Sequence, residues 1–177
     1  WKPIQSGTIE GSDSEFVRSV ISNSTTVIHP EAYRLKEPLS PHFAAKLENV
    51  EIELSKIKLP VRLSGVEASN DLIIEGAGGL LVPINKTHYV IDIASQFNCE
   101  IVLVISNYLG CINHTLLSIN YLINNGFKLH ALVFNGAFEE EVKLAITASI
   151  SCRVINIPTL SSLTKSAVKE IASSITI

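Results

Sequence analysis

Lys2-Pro3-Ile4-Gln5-Ser6-Gly7 places a cation beside a rigid proline and, four residues on, a hydroxyl next to glycine. A lysine fixed in this way can neutralise charge that develops on a carboxylate or phosphoryl group. Glu75-Gly76-Ala77-Gly78-Gly79 ends the apolar run Leu72-Ile73-Ile74. A carboxylate there suits Mg²⁺, which takes one or two carboxylates together with phosphate oxygens, and the glycines let backbone approach a ligand closely. Asp13, at an expected helix start, is a second candidate carboxylate, although an acidic residue there also suits the helix dipole. Leu109-Gly110-Cys111-Ile112-Asn113-His114 follows a second apolar run and opens a helix, whose free N–H groups suit an anion such as a substrate carboxylate. Asn135-Gly136 and Pro158-Thr159-Leu160 close two further runs. An asparagine amide offers donor and acceptor to a purine edge, or forms a plain Asn-Gly turn.

Parallel strands and their crossover helices are the elements that hold such residues on one rim. Glu100–Ser106, Leu129–Asn135 and Arg153–Ile157 read as buried strands, with Leu72–Glu75 as another. Helices are expected over Tyr89–Phe97, Asn113–Asn124, Glu139–Ile150 and Ser162–Ser174. The alternation implies an α/β fold in three layers, a parallel sheet with helices on both faces, and ligands beyond the carboxyl ends of the strands. Nearer the start, the pattern predicts a helix over Asp13–Ile21 capped by Ser12, a short strand over Thr25–His29, and a loop over Tyr33–His42. A helix beginning at Pro41 and another over Glu51–Leu59 complete the reading. No boundary interrupts the pattern, so residues 1–177 are expected to form a single domain.

Bulk properties exclude several classes. The 177 residues are 46% hydrophobic, enough for one sizeable core. A net charge of -3 without a basic run gives no field for nucleic acid. No apolar run approaches the roughly 20 residues of a membrane span, and the first residues lack the apolar core of a signal peptide. Cys99, Cys111 and Cys152 are scattered, so free thiols in a reducing compartment are expected, giving a cytoplasmic location. GxSxG, HExxH, GxGxxG and GxxxxGK(S/T) do not occur.

Taken together, Lys2-Pro3-Ile4-Gln5-Ser6-Gly7, Ser12-Asp13, Ser40-Pro41-His42, Glu75-Gly76-Ala77-Gly78-Gly79-Leu80-Leu81-Val82-Pro83 and Leu109-Gly110-Cys111-Ile112-Asn113-His114 resemble the dethiobiotin synthetase family in order and spacing. The resemblance runs from Lys2 to about Leu160. It implies a P-loop NTPase-like fold and an ATP-dependent cyclo-ligase that closes a ureido ring from 7,8-diaminononanoate and CO₂ in biotin biosynthesis. It also implies Mg²⁺, ATP as co-substrate, and a homodimer. Lys2 would be the catalytic lysine. Ser6 would bind substrate, as would Gly110, Cys111, Ile112 and Asn113. Asp13 and Glu75 would hold Mg²⁺ and nucleotide. Gly76, Ala77, Gly78, Asn135, Gly136, Pro158, Thr159 and Leu160 would line the nucleotide. Tyr108 stands where some members carry a basic residue, and Gly136 where they often carry Asp. The family's first strand, phosphate-binding loop and helix have no counterpart ahead of Trp1, which leads us to expect a fragment of a longer chain. A related P-loop ATPase, or a non-catalytic binding or dimerisation module, would be the alternatives.

Overall fold

The computed structural model describes residues 1–60, 72–148 and 150–175. The chain groups into two compact units, Trp1–Phe97 and Asn98–Ile177.

The first unit is built around its opening segment. Strand β1 (Ile4–Gln5) pairs in parallel with β2 (Tyr33–Arg34), in the register Ile4 to Tyr33. Ahead of β1, Trp1 makes bonds of the parallel pattern: its nitrogen donates to the Ile73 carbonyl (2.7 Å), and Glu75 N–H donates to the Trp1 carbonyl (2.9 Å). Leu72–Glu75 thus bonds to Trp1 in the parallel pattern, but it forms no regular strand. Helix α1 (Asp13–Val20) has the expected start: Ser12 Oγ accepts from Glu15 N–H (3.2 Å) and Glu15 Oε2 from Ser12 N–H (2.9 Å). This reciprocal cap satisfies donors that no helical carbonyl reaches. Helix α2 (Pro41–Leu47) begins at its proline, and α3 (Val90–Gln96) lies within the predicted helix. The core joins Ile4, Leu35, Ala44, Ala45, Ile52, Ile57, Ile84, Val90 and Ile93.

Three local expectations fail in this unit. Thr25–His29 forms no strand. Instead, Asn23 Oδ1 accepts from the N–H groups of Thr25 and Thr26, and this local turn competes with strand pairing. Glu51–Leu59 contains only a 3-10 turn at Leu54–Lys56, because Ile52 and Ile57 are both buried at a spacing of five, which a continuous helix would turn apart. The predicted loop contains β2, whose backbone is recruited by Pro3 and Gln5: Tyr33 N–H donates to the Pro3 carbonyl (3.0 Å) and Leu35 N–H to the Gln5 carbonyl (2.8 Å).

The second unit is a parallel sheet in the order β3 (Ile101–Ser106), β4 (Leu129–Asn135), β5 (Arg153–Ile157). Helices α4 (Cys111–Asn124), α5 (Glu140–Thr147) and α6 (Lys165–Ser174) follow the strands in turn. Helix α4 starts two residues earlier than expected, because Gly110 takes φ 101° and turns the chain directly into it. Helices α5 and α6 are shorter than their apolar patterns suggested. Ile105, Ile119, Leu132, Phe134 and Ile146 form the core, with Phe138 edge-on to Phe134 at 4.9 Å. Both units thus carry the parallel α/β architecture that the alternation of apolar runs implies.

Candidate functional site

In the first unit Lys2 is the centre of a charge cluster. Its side chain is 11% exposed, and its ammonium is shared between Asp13 Oδ2 and Glu75 Oε1, the latter at 2.8 Å. Asp13 arrives at the first turn of α1, and Glu75 through the parallel bond between its own N–H and Trp1. Two carboxylates 62 positions apart in sequence thereby converge on one nitrogen. Burial alone would lower the pKa of Lys2. Its hydrogen bonds to Asp13 and Glu75, and the charges of both, outweigh burial and raise it, so the ammonium stays charged. Both carboxylates remain about half exposed, at 49% and 57%. Hard oxygen donors of this kind, open to solvent for the remaining ligands, fit the donor set Mg²⁺ takes.

Ser6 continues the same edge. Its Oγ is shielded from solvent and has no hydrogen-bond partner among the described residues. Gly7 then takes φ 76°, and its N–H donates to the Glu37 carbonyl (3.0 Å), which fixes the turn.

The glycine-rich segment has a packing reason as well. A Cβ on Gly76 would lie 2.6 Å from Val90 Cγ1, so only glycine lets the chain after Glu75 pass α3. Gly78 takes φ 90°, a region few other residues adopt. The loop carbonyls of Leu80 and Val82 then accept from Ile91 and Val90 N–H (3.0 and 2.9 Å), capping α3 from outside. Ala77 packs against the core.

In the second unit the remaining candidates gather at the carboxyl ends of the strands, where Ser106 pairs with Asn135 and Asn135 with Ile157. Gly136 N–H donates to the Ile157 carbonyl (2.8 Å), and its α-carbon faces Thr159, whose Oγ1 a Cβ would meet at 3.5 Å. Asn135-Gly136 and Pro158-Thr159-Leu160 are therefore neighbours. The loop before α4 joins them, since Asn107 Nδ2 donates to the Ala137 carbonyl (2.8 Å). Cys111 N–H is taken by the Tyr108 carbonyl (3.0 Å), which removes one of the N–H groups expected to be free. Ile112 and Asn113 N–H have no partner among the described residues.

Sequence reasoning gave no role to Gln5 or Asn107 and did not pair Tyr108 with His114. The Tyr108 hydroxyl meets His114 Nδ1 at 2.8 Å, so that histidine ties a loop to a helix. All three cysteines are free thiols, and burial raises the pKa of Cys99 and Cys152. Among the described residues no helix is long and apolar enough to cross a membrane.

Comparison with known proteins accounts for this arrangement of motifs. The profile of a family described as an AAA domain matches residues 1–167. The ATP-dependent dethiobiotin synthetase BioD of Cytophaga hutchinsonii is 45% identical over 155 residues, 88% of this chain and 72% of that protein. The enzyme of the same name from Lawsonia intracellularis is 42% identical over 172 residues, 97% of this chain and 80% of that protein. The one from Agrobacterium fabrum is 39% identical over 171 residues, 96% and 78%. Identity at this level across both units shows that the chain belongs to the dethiobiotin synthetase family.

Proposed function

We propose that this protein is an ATP-dependent cyclo-ligase of biotin biosynthesis that makes dethiobiotin from 7,8-diaminononanoate and CO₂. The observation that carries the reading is the largely enclosed Lys2 ammonium, held charged between Asp13 and Glu75 at the edge of a parallel segment.

One amine of the substrate adds to CO₂; a C–N bond forms and the amine loses a proton to solvent, leaving a carbamate. A carbamate oxygen attacks the γ-phosphorus of ATP, the bond to the β-phosphate oxygen breaks, and ADP leaves. The second amine attacks the carbonyl carbon, phosphate departs with the C–O bonding pair, and loss of a proton gives the cyclic urea. Negative charge accumulates on the carbamate and the transferred group in each step. Lys2 supplies a fixed positive charge there, and a preorganised cation needs no reorganisation as the reaction proceeds. Asp13 and Glu75 would hold Mg²⁺, which when bound screens the phosphate oxygens. The orphan hydroxyl of Ser6 would meet the polar end of the substrate.

In the second unit, the free N–H groups of Ile112 and Asn113, with Gly110 and Cys111 shaping the helix entry, would bind the substrate carboxylate. Asn135 would read adenine, with Gly136 and Pro158-Thr159-Leu160 as the adjoining wall. Gly76, Ala77 and Gly78 would line the phosphates. The protein acts as a cytoplasmic homodimer, with both units of each chain forming one enzyme domain. The assay uses the protein as its source produces it, supplied with ATP, Mg²⁺, the diamine and bicarbonate. ADP release that requires both the diamine and bicarbonate supports the reading. Release that ignores the diamine would overturn it in favour of another ATPase.

A further inference from the structure

We infer that Gln5 is a positioning residue that sets both arms of the site. This rests on the ligase reading above.

Gln5 is 5% exposed, and a buried amide must find partners for its donor and acceptor ends. Here Oε1 accepts from Asp13 N–H (3.1 Å), and Nε2 donates to the Ser6 carbonyl (2.8 Å). One side chain thus grips the first residue of α1, which bears the Asp13 carboxylate, and the peptide next to the orphan Ser6 hydroxyl. The bond to Asp13 N–H satisfies a further donor at the helix start, where Ser12 and Glu15 already satisfy each other's N–H groups. Gln5 also lies in β1, three residues from Lys2. The spacing between the lysine, the carboxylate and the hydroxyl therefore depends on one amide. Loss of its two hydrogen bonds would let the carboxylate and the hydroxyl shift where metal and substrate bind, so fixing that spacing has a consequence for binding beyond stability.

Gln5→Met keeps volume and removes both bonds. It is compared with wild type in the native full-length protein by Mn²⁺ titration under electron paramagnetic resonance and by steady-state kinetics. The expected result is about tenfold weaker Mn²⁺ binding and about a tenfold rise in the KM for diaminononanoate, with kcat lowered less than about threefold, the size expected when a hydrogen bond is lost. A lower melting temperature with both constants within twofold of wild type would overturn the inference and leave Gln5 a purely structural residue. Should Gln5→Met not fold, Gln5→Glu keeps an acceptor for Asp13 N–H and loses the donor to Ser6. Near-normal Mn²⁺ binding with a raised diamine KM then supports the inference, and the opposite pattern overturns it. Absence of turnover in wild type counts against the ligase reading alone, because the Mn²⁺ titration still reports on Gln5.

Discussion

At the scale of single residues, the site turns on one largely enclosed cation. Lys2 is nearly enclosed while the two carboxylates that hold it stay half open. The two carboxylates keep the ammonium charged against its burial and remain open on their outer sides. Replacing the lysine by methionine should therefore cost catalysis far more than folding. Lys2→Met is expected to lower kcat by roughly 10²–10³-fold, as for removal of one preorganised donor, with a circular dichroism spectrum like that of wild type. The raised pKa adds a stability signature. A group whose folded pKa lies above its unfolded value stabilises fully below the unfolded value, about 10.4 for lysine, and that contribution disappears as pH rises through the folded value. The melting-temperature gap between wild type and Lys2→Met should therefore be constant below the unfolded lysine value and close as pH rises beyond it through the raised folded value. A gap that widens in alkali would contradict the ion-pair account.

At the scale of elements, the site depends on how α1 and α3 begin. Ser12→Ala removes one half of a reciprocal cap and should destabilise by about 1 kcal/mol, measured by urea unfolding. The glycine after Glu75 is a packing requirement: Gly76→Ala drives a methyl against Val90 Cγ1 and should cost about 1–3 kcal/mol. Val90→Ala in the same chain opens that space, so the double variant should be more stable than the sum of the two single changes; strict additivity would contradict the clash. Elements with strong local signals were legible in the sequence. The Ser12 cap, the apolar strands Leu129–Asn135 and Arg153–Ile157, and Pro41 at a helix start all lie where their residues predict. β1 and β2 were illegible for the opposite reason. Each is two residues long, and they exist because Pro3 and Gln5 accept bonds from a segment some thirty residues away. Gln5 was overlooked in the same way, since nothing local marks a glutamine whose partners are a helix N–H eight residues on and its neighbour's carbonyl.

At the scale of the whole molecule, the motifs divide between the two units. The cation, its carboxylates and the orphan hydroxyl belong to Trp1–Phe97; the asparagine, the helix entry and the Pro158–Leu160 segment belong to Asn98–Ile177. Each motif is short and ambiguous alone. Their order along the chain made the family legible, because a glycine-rich turn after an apolar run can arise from packing alone, as Gly76 against Val90 illustrates. The central claim is that this protein closes a urea ring with carbon from CO₂. The most direct test supplies the native full-length protein with ATP, Mg²⁺, 7,8-diaminononanoate and ¹³C-bicarbonate, and follows the product by mass spectrometry and carbon NMR. The account predicts dethiobiotin with ¹³C at the ureido carbon, and its loss in Glu75→Ala with the fold intact. Consumption of ATP without labelled dethiobiotin, or full labelling by Glu75→Ala, would contradict it.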